Sequence, residues 1–304
     1  MATKIEQSRH YEDMSTLQLQ QAHARLLRAR EELRQDLEGV LGPDETGPDQ
    51  VAAARAEIAH VAALLRPMTP FIHGAVRPWP AGEERLHLYA LTDVCGDHCC
   101  EGGPLVDEID RQGQILPGHR DLITPVPERW RHITIGRVNQ ATEDEAGRLA
   151  DALSQWVDRL TAPPVKALMV PTVTEHGVLL DEGLPDPWRR PPGWSWESSL
   201  EGVAALLRTA ARVADIQGPD TPTRVHTPRS FHLATAYCHT AGTGRALADR
   251  IGRTRPTIPV HVRTLALVWV SQDPTAPAYT WRTVAAWDLT GQDENRPGGA
   301  GGVG

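Results

Sequence analysis

The chain has 304 residues, a formal net charge of −8 and a hydrophobic fraction of 40%. That length is enough for one large domain or a domain with an extension, and the apolar fraction is ordinary for a globular protein. An acidic chain is poorly suited to holding long duplex nucleic acid, because that affinity comes largely from Lys and Arg on phosphates. A small nucleotide or a single RNA end needs only a few local cations and remains compatible with this composition.

The sequence contains no recognisable membrane or secretion signal. No run of about 18 or more apolar residues is present, which predicts no membrane span. Residues 1–10 carry several charges and no apolar stretch, so they do not resemble a secretory signal. We therefore expect a cytoplasmic protein whose four cysteines are reduced thiols. They are Cys95, Cys99, Cys100 and Cys238.

Residues 1–80 are predicted to form an N-terminal helical hairpin followed by a Pro-rich linker. Apolar residues recur every three or four positions over residues 15–41 and 50–66, and Gly42-Pro43 interrupts the pattern between them. Apolar seams of this kind usually pack on a core or on a second copy of the chain. The hairpin is therefore a candidate surface for self-association, and a partner-recruiting arm is the alternative.

Residues 81–290 are predicted to form the main domain, and the Gly-rich residues 291–304 a disordered tail. Within the main domain the order strand, helix, strand, helix, strands occurs twice, first from residue 86 and again from residue 178. Each copy includes a strand that carries a histidine. This duplication predicts an α+β fold with two related halves.

The first histidine-bearing strand is predicted at RHITIGRV, residues 131–138. Because side chains alternate along a strand, His132, Thr134 and Gly136 are expected on one face. An imidazole and a hydroxyl that project together can donate and accept hydrogen bonds at one phosphate. The glycine next in line is expected to leave room for a ligand close to the backbone.

The second histidine-bearing strand is predicted at SFHLATAY, residues 230–237. The same alternation places His232 and Ala234 on one face, and Thr235 on the other unless a β-bulge shifts the register. Three side chains near the histidines are candidates for substrate binding: Thr235, Tyr237 and Arg137.

These two segments carry a resemblance to a known family. VPERWRHIT (126–134) and FHLATAY (231–237) resemble the two motifs of the 2H phosphoesterase superfamily, and more narrowly of its 2′-5′ RNA ligase-like group. Each motif of that group is His-x-Thr or His-x-Ser in a strand. The resemblance covers residues 86–289, including a closing strand pair over 260–289, and does not extend to the hairpin or the tail.

The resemblance implies two pseudo-symmetric lobes with antiparallel sheets around a central cleft, and one catalytic histidine from each lobe. It implies a hydrolase of the cyclic phosphodiesterase or 2′-5′ RNA ligase-like type, which uses neither a metal nor a cofactor. The implied substrates are a 2′,3′-cyclic phosphate or a 2′-5′ phosphodiester of an RNA end or small nucleotide. By position, His132, Thr134 and His232 carry over as catalytic residues. Ala234 departs from the pattern, because the family has a second hydroxyl there.

Histidine chemistry suggests how such a pair would act. With a reference pKa of about 6.5, one ring can be neutral and take a proton while the other is protonated and gives one. The sequence leaves open which histidine plays which role. It also leaves open a second function, in which the protein is a degenerate, non-catalytic binder of nucleotides or RNA ends, an interpretation that Ala234 favours.

Two further groups of residues have competing interpretations. The Cys95, Cys99 and Cys100 cluster, with Cys238 and His239, offers zinc ligands, but its C-x3-C-C spacing is not that of a zinc knuckle. We therefore predict a loop of reduced thiols and no metal site. His87 lies on a predicted strand, where it is interpreted as a structural histidine whose hydrogen bonds are satisfied.

Overall fold

The computed structural model describes residues 22, 24–25, 67–72, 78–80, 82–92, 103–157, 165–182, 199–217, 224–228, 230–252, 258–273 and 278–289. The hairpin predicted over residues 14–66, apart from three of its residues, lies outside this part of the chain. The tail (291–304) and the three clustered cysteines also lie outside it, so these features remain predictions. None of the described helices is long and apolar enough to cross a membrane.

The described strands are β1 (Pro67–Met68), β2 (Glu84–Thr92), β3 (Ile123–Pro125), β4 (Ile133–Val138), β5 (Lys166–Thr174), β6 (Gly177–Asp181), β7 (Val225–His226), β8 (His232–Cys238), β9 (Gly242–Thr243), β10 (Ile258–Asp273) and β11 (Ala278–Asp288). The described helices are α1 (Pro104–Ile115), α2 (Glu143–Val157), α3 (Leu200–Val213) and α4 (Arg245–Gly252). Every described strand pairing is antiparallel. The predicted α+β class with antiparallel sheets is therefore confirmed.

The helices form where capping and apolar spacing favour them. Ser199 precedes α3 and its Oγ accepts a hydrogen bond from the backbone N–H of Gly202, which satisfies one free donor of the first turn. The apolar residues of α3 recur at helical spacing and are buried, including Leu200, Val203 and Leu207. Burying each such side chain contributes about 1.5–3 kcal/mol. The spacing thus anchors α3 against the main apolar core.

The two predicted copies are present, and they exchange elements. The first copy runs β2, α1, β4, α2 and the second runs β6, α3, β8, α4. Within each copy the histidine-bearing strand pairs with the first strand, β4 with β2 and β8 with β6. Two short strands cross between the copies. β3, from the first copy, pairs with β8 of the second, and β7, from the second copy, pairs with β4 of the first. Each half of the sheet is therefore completed by a short strand from the other copy.

The histidine-bearing strands also meet directly. Ile133 of β4 pairs with Leu233 of β8, and both side chains are fully buried in the main core. Because each of these residues follows a histidine, this contact brings the two motifs to one place in the fold.

Residues 67–72 are packed against the main domain, although the sequence pattern assigns them to the linker. β1 pairs with β9, and Met68 is only 1% exposed in an apolar cluster with residues of α1 and α4. The backbone N–H of Thr69 donates to the carbonyl oxygen of Glu175. Prolines in this segment indicated a connection, but the buried Met68 makes it part of the core.

Candidate active site

A β-bulge in β4 determines which of its side chains reach the site. Leu88 and Tyr89 of β2 pair with Gly136 and Thr134 of β4, so Ile135 has no partner. The extra residue reverses the alternation beyond it. Arg137 therefore faces the same cleft as Thr134.

Gly136 does not face the cleft, and the expectation that it leaves room for a ligand is wrong. A Cβ placed on Gly136 would lie 2.6 Å from Leu207 Cδ2 and 3.0 Å from the carbonyl oxygen of His226. The absence of a side chain here permits the close approach of α3 and β7 to β4.

The same irregularity occurs in β8. Val178 and Leu179 of β6 pair with Ala236 and Ala234, so Thr235 is the extra residue. Beyond the bulge, Tyr237 faces the cleft together with His232. The alternation predicted without a bulge put these two residues on opposite faces.

Thr235 itself does not reach the cleft. It is 3% exposed, and its hydroxyl lies 2.6 Å from Gln112 Oε1 and 3.1 Å from the carbonyl oxygen of Val178. Both contacts are in the interior, where the hydroxyl satisfies a buried acceptor. The expectation that Thr235 contacts substrate is therefore corrected: it fixes α1 to β8.

The described residues enclose a cleft of about 880 Å³ between the two halves of the sheet. It brings together five of the six candidate residues: His132, Thr134, Arg137, His232 and Tyr237. Several other side chains that are not among the six candidates also line it: Phe71, Tyr89, Asp181, His226 and Tyr279.

His132 is held in one orientation by its surroundings. It is 8% exposed, its ring stacks on Tyr89 with the ring centroids 3.9 Å apart, and the Trp281 ring is nearly perpendicular to it with the centroids 5.3 Å apart. Its Nδ1 lies 2.9 Å from the carbonyl oxygen of Trp130, to which the N–H donates. That hydrogen bond leaves the lone pair on Nε2.

The electrostatic environment keeps His132 neutral. Its pKa is lowered to about 4, chiefly by burial; the hydrogen bond to Trp130 acts in the opposite direction, and the nearby His232 adds to the lowering. Near neutral pH the ring therefore has an unprotonated Nε2, which is the form required of a proton acceptor.

His232 has a carboxylate beside it. Asp181 of β6 is its cross-strand partner, and both residues line the cleft. Burial lowers the pKa of His232, while the Asp181 charge and a hydrogen bond to the Ser230 backbone raise it. Because the Asp181 carboxylate favours the protonated form of His232, this histidine is the better suited of the two to donate a proton.

Ala234 occupies the position equivalent to Thr134, but aromatic residues cover it. It is 6% exposed and belongs to an apolar cluster with Val126 and Tyr237, against which Phe71 packs. The Phe71 ring stacks on Tyr237 at 4.3 Å. Ala234 is therefore not an open wall of the cleft, contrary to the expectation from strand alternation.

His87 is not the satisfied structural histidine that the sequence suggested. It is 9% exposed, lines the cleft, and neither ring nitrogen has a hydrogen-bond partner among the described residues. Its pKa is lowered to about 3, first by burial and then by the neighbouring His132, Arg137 and Arg85. The ring is therefore neutral, with one free donor and one free acceptor.

The described residues contain no group of three or more His, Cys, Asp or Glu side chains placed to hold a metal ion. Cys238 is buried and its thiol donates to the carbonyl oxygen of Thr240 at 3.1 Å. Burial raises the pKa of this thiol. Cys238 is thus a protonated interior side chain.

No known protein family and no curated protein matches the chain. Among solved structures, Escherichia coli LigT complexed with 3′-AMP is 16% identical, with 68% of this chain and 98% of that chain covered and a TM-score of 0.38. A Thermus thermophilus protein, TT0787, is 15% identical, with 68% and 99% covered and a TM-score of 0.40. A chain described as a phosphoesterase is 14% identical, with 68% and 99% covered and a TM-score of 0.36. Similarity at this level carries no functional weight, so function is inferred below from the cleft itself.

Proposed function

We propose that the protein is a metal-independent phosphoesterase that acts on a 2′,3′-cyclic phosphate or a 2′-5′ phosphodiester of an RNA end or small nucleotide. The observation that carries this proposal is the meeting of His132 and His232 in one cleft. Their strands are antiparallel and pair through Ile133 and Leu233, the residues that follow them. Thr134 is the third residue of the proposed catalytic group, beside the two histidines.

His132 is assigned as the general base. Its Nδ1–H donates to the Trp130 carbonyl, so Nε2 carries the lone pair and can take a proton from water or from a ribose hydroxyl. Stacking on Tyr89 restricts rotation of the ring. Its pKa is lowered to about 4, chiefly by burial, so the ring is unprotonated near neutral pH.

His232 is assigned as the general acid because Asp181 favours its protonated form. In hydrolysis of a cyclic phosphate, a bond forms from the water oxygen to phosphorus and one bond from phosphorus to a ribose oxygen breaks. The water proton passes to His132, and the proton of His232 passes to the departing oxygen. The reverse sequence forms a phosphodiester, with the two roles exchanged.

Thr134 is assigned to the phosphate. Continuing the register by one residue from the Ile133–Leu233 pair places Thr134 across from His232 on the cleft face. Its hydroxyl is half-exposed and can donate to a non-bridging oxygen, where negative charge concentrates in the transition state. A single preorganised donor of this kind contributes about 10²–10³-fold to kcat.

The dimensions of the site fit a small ligand or a chain end. A cleft of about 880 Å³ falls in the usual range for sites that bury small molecules. The net charge of −8 opposes binding of a long duplex. These two observations favour a mononucleotide or the terminal nucleotides of an RNA strand.

The test is turnover of two substrates, adenosine 2′,3′-cyclic phosphate and a 2′-5′-linked diadenylate, followed by phosphorus NMR of the products. We expect hydrolysis of at least one, with the same rate in EDTA and after added zinc. Activity that disappears in EDTA and returns with zinc would contradict the metal-independent mechanism. Failure to convert either substrate would contradict the enzymatic assignment.

A non-catalytic binder is the second candidate, and Ala234 is the observation that favours it. The second lobe has no hydroxyl at the position equivalent to Thr134; Ala234 is instead part of an apolar cluster with Tyr237, on which Phe71 stacks. In that case adenosine 3′-monophosphate should bind in the cleft while neither test substrate is converted. Calorimetric titration beside the turnover assay distinguishes the two functions.

A further inference from the structure

Three side chains form a row across the first half of the cleft that the proposed mechanism does not use. His87 of β2 pairs in register with Arg137 of β4, and Arg137 pairs with His226 of β7. All three side chains line the cleft. We call this set the His87–Arg137–His226 row.

His87 is the member of the row whose polar atoms are least satisfied within the protein. The side chain is more than nine-tenths buried, and both ring nitrogens are without a hydrogen-bond partner in the described part of the chain. Buried polar groups are nearly always hydrogen-bonded, and exceptions call for a specific explanation. Because the ring lines a cleft, a bound substrate group is the partner that the geometry favours.

Arg137 gives the row its charge. The side chain is exposed and makes no ion pair with any described residue, and its charge lowers the pKa of His87 and of Tyr279. Two carboxylates line the cleft in the described residues, and both lie on the opposite half, at Glu175 and Asp181. The half with Arg137 therefore presents an uncompensated positive charge.

We propose that the His87–Arg137–His226 row is a second anion subsite, which binds a phosphate group of the substrate other than the reacting one. This inference rests on the proposed function and narrows its substrate class. The substrate is then a nucleotide or RNA fragment that carries at least two separate phosphates.

The chemistry of the row suits a phosphate. The guanidinium fork of Arg137 can donate two parallel hydrogen bonds to phosphate oxygens. The N–H of His87 can donate to a third oxygen, and exposed His226 extends the row. A negative charge bound here would offset the positive neighbours that lower the pKa of His87.

The spacing indicates how the two phosphates are connected. One ring, Tyr89, separates His87 from His132, with ring centroids 5.5 Å from the first and 3.9 Å from the second. This separation suits phosphates on two sides of a ribose. Two directly bonded phosphates are too close together for one to reach His87 while the other lies at the catalytic histidines.

The first experiment compares kcat/KM for adenosine 2′,3′-cyclic phosphate with that for the same compound phosphorylated at the 5′ oxygen. We expect the doubly phosphorylated substrate to be preferred by about 10–100-fold, as for one or two charge-assisted hydrogen bonds. Arg137→Gln and His87→Phe should each reduce this ratio toward one. Equal use of both substrates by the wild type, or a ratio that neither variant changes, would overturn the proposal.

Two variants serve as controls. His87→Gln keeps a donor and an acceptor and should retain more of the preference than His87→Phe. Arg120 is exposed and does not line the cleft, so Arg120→Gln should leave the ratio unchanged although it removes the same charge. A ratio lowered equally by Arg120→Gln would mean that net charge alone, and not the row, sets the preference.

A binding experiment separates this inference from the proposed function. In the full-length double variant His132→Ala/His232→Ala, adenosine 3′,5′-bisphosphate and adenosine 3′-monophosphate are titrated by calorimetry. We expect about tenfold or tighter binding of the bisphosphate, lost when Arg137→Gln is added. Equal affinities would refute the subsite. Preferential bisphosphate binding without turnover by the wild type would retain the subsite and refute the enzyme.

Discussion

Ile133 of β4 and Leu233 of β8 are direct cross-strand partners, and each follows one of the two cleft histidines. Because the strands are antiparallel, an approximate twofold axis passes between this pair. It relates His132 to His232, and it relates the bulges at Ile135 and Thr235. The two histidine-bearing strands therefore have corresponding positions, although Thr134 lines the cleft and Ala234 is covered.

The chemistry at the corresponding positions differs between the lobes. The first lobe has Thr134 and Arg137, and the second has Ala234 and Tyr237. A hydroxyl and a guanidinium bind phosphate oxygens, whereas Tyr237 with Phe71 stacked on it presents aromatic surface. In the proposed function, the first lobe binds phosphate and the second contacts the apolar parts of a nucleotide.

The first prediction concerns the two histidines. His132→Ala and His232→Ala should each reduce kcat by about 10²–10⁴-fold, the usual contribution of a general acid or base. The circular dichroism spectrum should keep its shape in both variants, whereas His132→Ala should also lower Tm, because it removes a buried ring that stacks on Tyr89. His239→Ala is the control: this histidine is exposed beyond the end of β8 and outside the cleft. Near wild-type turnover in either catalytic variant would remove that histidine from the mechanism.

The second prediction is the pH profile of kcat/KM. Activity should rise as His132 loses its proton, around its pKa of about 4, and fall as His232 loses its proton. Burial lowers the pKa of His232 as well, so the falling limb should lie below the usual value of about 6.5. We therefore expect a maximum on the acid side of neutrality. A profile that keeps rising above pH 7 would contradict the assignment.

The third prediction tests Asp181 as the group that positions and charges His232. Asp181→Asn removes the negative charge that raises the pKa of His232, so the falling limb should move to lower pH while the rising limb stays in place. The measurement is the same kcat/KM profile in the variant. A uniform loss of rate with both limbs unmoved would indicate a purely structural role for Asp181.

The fourth prediction is a pH dependence of stability that comes from His87. Its pKa is about 3 in the folded protein and about 6.5 in an unfolded chain, so between these values the unfolded chain binds the extra proton. Above pH 6.5 protonation of His87 does not reduce the free energy of unfolding. Below pH 6.5 that free energy falls by up to about 1.4 kcal/mol for each pH unit. His87→Phe should therefore lose less unfolding free energy than wild type between pH 6.5 and 4.5. Parallel denaturant series at the two pH values provide the comparison.

Strand alternation predicted part of the site and failed where the backbone departs from it. His132, Thr134 and His232 precede the bulges, and the structure brings all three to the cleft as the alternation requires. Beyond the bulges the faces exchange, so Thr235 is in the core and Tyr237 is in the cleft. Gly136 adjoins the first bulge and could have indicated it, whereas no glycine or proline lies next to Thr235 in the second.

Local sequence patterns could not predict the contacts between residues that are far apart in the chain. Phe71 reaches Tyr237, and Trp281 reaches His132, across more than a hundred residues of sequence. Asp181 lies beside His232 only because β6 pairs with β8. By contrast, Tyr89 follows His87 by two residues on one strand, so alternation could have placed both in the cleft.

The fifth prediction concerns residues 67–72, which the sequence pattern assigns to the Pro-rich linker. A chain that starts at Pro67 should keep the Tm of the main domain, whereas one that starts at Gly82 should lose stability. The second truncation removes buried Met68 and also Phe71, the partner of Tyr237. Met68→Ala in the full chain should cost about 2–5 kcal/mol, as for other large-to-small core substitutions. Equal Tm values for the two truncations would support the domain boundary near residue 80 that the sequence pattern predicts.

The last prediction concerns Ala234. If this position only lacked a hydroxyl, Ala234→Ser would supply a second phosphate donor and raise kcat/KM. In the structure the added hydroxyl would lie in the buried apolar cluster that contains Tyr237 and against which Phe71 packs, where an unsatisfied polar group costs about 1–3 kcal/mol. Ala234→Ser alone should therefore lower stability and leave kcat/KM unchanged.

Removing the cover should change that outcome. Phe71→Ala takes away the ring stacked on Tyr237, so position 234 would gain access to solvent and to the phosphate. In a double-mutant cycle, Ala234→Ser should then raise kcat/KM by about 10-fold in the Phe71→Ala background, within the range of one charge-assisted hydrogen bond. Phe71→Ala alone is the reference for this gain, because it also removes aromatic surface from the cleft.

A gain from Ala234→Ser in the wild-type background would show that Phe71 does not block the position. The absence of a gain in both backgrounds would show that the site works with Thr134 as its one hydroxyl, and that the asymmetry between the lobes belongs to its mechanism.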